Sequence, residues 1–328
     1  MKNFAHFLLG IFLLFLQTTI HAQTAEAFLS QLPAVPNSVC NADQSGIDIF
    51  TDKIRKVQSV LQAKMEQYSN QAAATIDVNK EKILSTNAAN VGISTSDMKK
   101  LANGNVSEKE AMSIANKSAQ NRYGASIAEL QKVANMSEAE QEKWAQEYAN
   151  KQMQKAQRNP EVAAKKGEKA KRLYDLGMEQ KAIADRLSIQ WEKVRKAEKN
   201  YRYQDSVQSK ILEKKLEPLI KDPVLSGGCA SAAELQRARA LEKQIYNLKK
   251  QHCEKMSPIL LDYILQYQSA LQMSFAEYAR QTEIANELSK IQNGVKIIPV
   301  ESSGLGGVDS YADQLLDAYK YWVPKFEN

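Results

Sequence analysis

Glycine and proline are scarce in this chain, 13 and 8 of 328 residues, which argues against a β-sandwich, a fold that needs both at its turns. Histidine is scarcer. Two of the three, His6 and His21, lie in the first segment of the chain, so beyond it His252 stands alone. That excludes a multi-histidine metal site and leaves a Ser-His-Asp triad a single possible base. No CxxC pair, phosphate-binding loop or dinucleotide fingerprint occurs, and Gly227 with Gly228 reads as an interhelical turn. The carboxylates are plentiful but dispersed, so no glycosidase-like pair stands out. No catalytic, cofactor-binding or metal-ligating residue is therefore assigned, and no cofactor is expected. No apolar run reaches the roughly eighteen residues that a membrane helix needs.

The longest such run, Phe7 to Leu16, follows Lys2 and precedes Gln17 to Ala22. A positive start, an apolar centre and a small-residue end form the layout of a secretory signal peptide. As a helix the run reaches only about 15 Å, half of a hydrocarbon core of roughly 30 Å. Cleavage is expected after Ala22, placing the remainder in the periplasm or outside the cell. Loss of that segment removes Lys2 and no acidic residue, so the net charge falls from +6 to +5.

What remains is rich in helix formers. Phe50, Ile54, Val57, Leu61, Met65, Tyr68, Ala72, Ile76 and Ile83 recur at close to 3.6 residues, predicting one long amphipathic helix of about 55 to 65 Å from Ile47. Ser107 with Glu110, Ser137 with Glu140, and Ser231 with Glu234 mark helix starts, the hydroxyl and the carboxylate each satisfying an orphan amide. Ser257 with Pro258 reads as another start. Stops fall at Asn103 with Gly104, at Asp222 to Gly228, and at Asn293 with Gly294. The stripe Leu235, Ala238, Leu241, Ile245, Leu248 and His252 is then expected to turn at Met256 to Pro258. It would pack antiparallel on a helix carrying Leu261, Ile264, Leu265, Leu271, Phe275 and Tyr278. Beyond the Gly/Ser-rich stretch 301–307, a short helix with Tyr311, Leu315, Leu316, Tyr319 and Trp322 should dock back. Tyr201, Tyr203, Tyr263, Tyr267 and Tyr278 read as core or hairpin seam, and His252 as a helix-end packing residue.

The expected fold is all-α, an elongated bundle of long antiparallel, coiled-coil-like hairpins. Its divisions are a signal peptide (1–22), an extended N-terminal segment (23–45), a helical region (46–159), a basic helical region (160–221), an antiparallel hairpin (222–293) and a linker with a docking helix (294–328). In this layout the whole chain resembles exported helical proteins of Gram-negative bacteria.

Cys40, Cys229 and Cys253 are an odd number for a compartment where disulfides form. On one continuous helix Cys229 and Cys253 would stand about 36 Å apart, beyond any bridge. An intramolecular bridge then uses Cys40. Cys253 is the favoured partner, which requires the first long helix to run antiparallel to 231–255; a parallel arrangement selects Cys229, and three free thiols are the alternative.

Residues 151–202 hold 15 Lys and Arg against 7 Asp and Glu, a net of +8. Within them Gln180 to Lys199 resembles a bacterial helix-turn-helix unit. Ile183, Ala184 and Leu187 match its first helix, Ile189 its turn and Val194 its second helix, while Ser188 replaces the usual turn glycine. The resemblance implies groove and phosphate contacts from Gln190, Trp191, Lys193, Arg195 and Lys196. The export signal points instead to an anionic envelope component or a protein partner. Lys165, Lys166, Lys169, Lys171, Arg172, Lys193, Arg195 and Lys196 are the candidate surface for it. The favoured reading is an exported non-enzymatic helical scaffold or interaction protein. A nucleic-acid-binding protein and a hydrolase with an unlocalised site are the alternatives.

Overall fold

A computed structural model describes residues 24–37, 39–104, 106–158, 160–227 and 231–326, and among them every regular element is a helix. In chain order these are α1 (Ala25–Gln31), α2 (Gln44–Val78), α3 (Lys80–Val91), α4 (Thr95–Ala102), α5 (Glu108–Tyr123), α6 (Ile127–Ala134), α7 (Glu138–Arg158), α8 (Pro160–Ile220), the single turn α9 (Pro223–Ser226), α10 (Ala232–Asn293) and α11 (Leu305–Leu316). The all-α expectation holds. Residues 1–22, read above as a signal peptide, and Cys229 lie outside the described residues.

The helices gather into two compact units that do not follow chain order. One takes in the chain up to Tyr68, Ala184–Ala279 and everything from Val300; the other takes in Ser69–Ile183 and Arg280–Pro299. In the first unit α2 buries Ile54, Val57, Leu61 and Tyr68, spaced three, four and seven apart as one helix face requires. α10 buries Cys253, Met256, Leu260, Ile264 and Leu271 against them, and α11 adds Leu305, Val308, Tyr311, Ala312 and Leu315. The docking helix forms, but it begins at Leu305, inside the expected linker, and ends at Leu316, with Tyr319 in a following 3-10 turn and Trp322 beyond it. Gly307 makes its close approach possible, since a Cβ there would stand 2.7 Å from Leu271 Cδ1.

Residue pairings fix the directions within this unit. Tyr201 stacks on Tyr263 and Trp191 meets Tyr267, with the Arg186 guanidinium on Glu277, so numbers rise along α8 as they fall along α10. The antiparallel hairpin therefore joins α8 to α10 through Lys221 to Ser231. The turn expected at Met256 to Pro258 is absent, because Pro258 sits inside α10. A proline there forfeits the bond to the carbonyl of Glu254 and costs about 3 kcal/mol. Both residues are exposed, so water reaches that carbonyl. Met256, Leu260 and Ile264, fully or nearly fully buried on either side, each contribute about 1.5 to 3 kcal/mol, which outweighs the loss.

The bridge geometry corrects a second expectation. Cys40 and Cys253 stand at disulfide-bonding distance, Cα atoms 5.8 Å apart. Yet α2 runs parallel to α10, since Phe50 meets Tyr319 and Gln58 bonds Asp309 and Asp313, while Tyr311 stacks on Tyr267 and Tyr321 meets His252. The pairing survives because α10 continues past Cys253, and α2 packs on that continuation. The first long helix is also interrupted, at Asn79, whose side-chain amide donates to the Thr75 carbonyl at 2.8 Å.

The second unit has a thinner core of Ala88, Ile114, Ala119, Leu176, Ile183, Ile284 and Val295. Polar contacts do much of its joining. Arg280 forks onto Glu179 at 2.6 and 2.9 Å, Arg172 meets Glu287, and buried Asn286 receives the amides of Ile297 and Ile298. Capping boxes close α5 at Ser107 with Glu110 and α6 at Ser126 with Glu129.

Two stability predictions follow from the first unit. Replacing Pro258 by Ala should raise the unfolding free energy by about 1 to 3 kcal/mol, whereas a turn at that point would make the same change destabilising; urea melts distinguish them. The Tyr311 hydroxyl is buried without a hydrogen-bond partner among the described residues. Tyr311→Phe should therefore stabilise by about 1 kcal/mol, read as a rise in Tm.

Candidate functional site

The residues singled out by the helix-turn-helix resemblance lie along one unbroken helix. Gln180 to Lys199 belong to α8, with no turn at Ser188, and Ile189 is 71% exposed instead of filling an interhelical corner. Serine lacks the left-handed freedom that a sharp turn needs, and Leu176, Ile183 and Val194 continue a single buried stripe.

The eight basic residues of the candidate surface are divided between the units. In the second, Lys165, Lys166 and Lys171 are exposed, Lys169 donates to Asn90 Oδ1 at 2.6 Å, and Arg172 is held by Glu287. In the first, Lys193 is exposed, Arg195 donates to the Ser188 carbonyl at 2.9 Å, and Lys196 pairs with Glu192 at 2.7 Å. Half of the positive charge is thus engaged within the chain itself.

His252 and Cys253 point apart, as adjacent helical residues must. Cys253 is fully buried at the bridge, where Ser257 Oγ lies 3.3 Å from its sulfur and 3.6 Å from that of Cys40. The His252 and Tyr321 rings meet nearly at right angles, centroids 5.3 Å apart. It is not at a helix end but well inside α10. Of the tyrosines expected at the seam, Tyr263 is buried and Tyr201, Tyr267 and Tyr278 are half-buried, but Tyr203 is 65% exposed. Two residues along a helix turn about 200°, so Tyr203 leaves the face that Tyr201 occupies.

One titratable cluster joins α8 to the C-terminal segment of the same unit. Asp205 Oδ1 accepts from the Tyr321 hydroxyl at 2.8 Å and from Ser209 at 3.2 Å, and Oδ2 accepts from Lys320 Nζ at 3.0 Å. The Tyr201 hydroxyl lies 3.0 Å from Lys320 Nζ and 3.1 Å from that of Tyr321. Burial opposes the Asp205 charge, but the bonds from Tyr321, Lys320 and Ser209 outweigh it and hold its carboxyl below the usual range. Burial and the contacts with Tyr201 and Asp205 push the Tyr321 phenol well above its ordinary value, so it remains a donor. Burial keeps His252 below its usual value against the pull of Asp205. Each charge has its partner within the cluster, an arrangement that anchors. The Trp322 indole extends the anchor by donating to the Ala42 carbonyl at 2.9 Å, beside the bridged loop. No local spacing marks this cluster, since Asp205 and Tyr321 are 116 residues apart.

Among the described residues no group of His, Cys, Asp and Glu could hold a metal ion, and no helix is long and apolar enough to cross a membrane.

Because Asp205 has a depressed carboxyl pKa in the folded state, its contribution is present above the unfolded value of about 4 and is lost as pH falls through the folded value. Asp205→Asn should lower stability at pH 7 by about 1 kcal/mol and flatten the decline below pH 4. Thermal melts between pH 7 and pH 3 test both expectations, and a variant that declines as steeply as the parent excludes the anchoring role.

Compared with family models, curated proteins and solved structures, the chain matches none.

Proposed function

We propose that this protein is an exported, non-enzymatic helical scaffold or interaction protein of the cell envelope, acting in an oxidising compartment after cleavage near Ala22. The observation that carries the reading is the Cys40–Cys253 pair, at bonding distance with Cys253 fully buried in the first unit's core. Such a bridge closes a loop across a sequence separation of 213 residues and persists only where thiols are not kept reduced. The three-part layout of residues 1–22 supports the same compartment.

The scaffold part of the reading is supported by where the polar chemistry goes. Arg186 clamps Glu277, Arg280 clamps Glu179, and the Asp205 cluster ties down the chain end. These contacts join helices. The exposed lysines Lys165, Lys166, Lys171 and Lys193 remain the part of the basic surface suited to an anionic envelope component or an acidic protein partner.

Expression of the full chain in a Gram-negative host tests the assignment by fractionation, N-terminal mass and alkylation before and after reduction. The expected product is an envelope protein beginning at Gln23, in which alkylation without reduction reaches one thiol, that of Cys229. An intact Met1, residence in the cytoplasm and three alkylated cysteines would overturn it.

A further inference from the structure

In the second unit, the end of α5 borders a cleft of about 350 Å³ together with α6 and α7, within the range of small-molecule sites. Trp144 and Tyr148, one turn apart on α7, both line it and are half-buried. Their ring centroids lie 5.4 Å apart in planes within 7° of parallel, an offset stack that leaves part of each face uncovered. The Tyr148 hydroxyl donates to the Arg122 carbonyl at 3.1 Å, which fixes the pair against the end of α5. Tyr123, Val133 and Met136 complete the apolar lining.

The ionic groups around these rings cancel. Lys132 and Lys151 line the cleft, and so do Glu129 and Glu147. Glu129 keeps its charge, because the Ser126 amide and hydroxyl bond its carboxylate and hold it below the usual range. Two cations against two anions favour neither sign of ligand.

A wholly apolar ligand is disfavoured for a different reason. Covering Lys132, Glu147, Lys151 and Gln154, all exposed, it would take water from them and return no hydrogen bond. The two ammonium groups and the Gln154 amide can donate, while the Glu147 carboxylate and the same amide can accept. What complements this lining is an uncharged molecule with an apolar face for the rings and hydroxyl groups at its edge. A pyranose is built in that way, with C–H bonds on its faces and hydroxyls around its rim.

We propose that this cleft binds a neutral oligosaccharide, one sugar ring lying along Trp144 and Tyr148 with its hydroxyls bonded to Glu147, Gln154 and the two lysines. The site shares no residue with the basic surface considered above.

Immobilised glycans test this on the purified protein: neutral oligomers of glucose, galactose, mannose and N-acetylglucosamine, beside uronic acid and glucosamine oligomers of equal length. At least one neutral series is expected to be retained, and more tightly than its charged counterparts. Its affinity should move less than about twofold between about 0.05 and 0.5 M salt. Trp144→Ala should weaken it at least about tenfold, while Trp144→Phe, which keeps a ring, should stay within about threefold. Glu147→Ala and Gln154→Ala should each weaken it about two- to fivefold. Retention of no neutral glycan, tighter retention of a charged one, or affinity untouched by Trp144→Ala would each overturn the proposal. So would Trp144-dependent binding of N-phenyl-1-naphthylamine, which has rings and no hydroxyl, in a protein that retains no glycan. Circular dichroism identifies any variant that loses helix; if Trp144→Ala does, the substitutions at exposed Glu147 and Gln154 decide, and glycan binding unchanged by both overturns the proposal.

Discussion

Between Cys253 and Ile264, α10 carries buried side chains on both sides of a proline that has no amide to give the helix. Continuity through that point sets most of the first unit. It places Cys253 in mid-helix, with chain continuing beyond it for α2 to follow, so that a parallel α2 can bring Cys40 to the sulfur. It also moves the hairpin turn to Lys221–Ser231, which leaves α8 free to run antiparallel along α10 and align Trp191 and Tyr201 with Tyr267 and Tyr263. Had the chain turned at Met256, the stripe of Leu260, Ile264 and Leu271 would face a different neighbour. The local cost of one proline is therefore settled by burial on either side of it.

This explains which parts of the fold were legible in the sequence. Helix ends are local chemistry, so Ser107 with Glu110 forms both predicted bonds, the Glu140 carboxylate accepts the Ser137 amide, and the Ser231 hydroxyl accepts the Glu234 amide. Stops at Asn103 with Gly104 and Asn293 with Gly294 hold for the same reason, both glycines adopting a positive φ. Ser257 with Pro258 carries an equally good local signal and yields no helix start. Its serine is buried beside the bridge sulfurs, a tertiary environment that no window of neighbouring residues contains. Ser188 is the converse, a weak turn signal overridden by a continuous stripe on both sides.

The candidate sites were less legible because they depend on distance along the chain. The Asp205 cluster needs residues 201–209 beside 320–321, with Asp205 and Tyr321 116 residues apart. The basic stretch could be read directly from charge counts. Counting, however, cannot tell Lys169, whose ammonium is bonded to Asn90, from Lys166, which is exposed. A charge run reports composition, and the fold decides how much of it is available to a partner.

The two units also spend their side chains differently. The first buries a continuous core closed by a bridge and by an anchored chain end, and its titratable groups are satisfied within it. The second holds itself together with arginine–carboxylate forks and capped short helices, and α4 and α6 bury none of their residues. Incomplete burial costs stability, so the second unit depends more on its ion pairs and helix caps than on apolar packing. The first unit, with its continuous buried core, therefore carries the larger share of the apolar stabilisation.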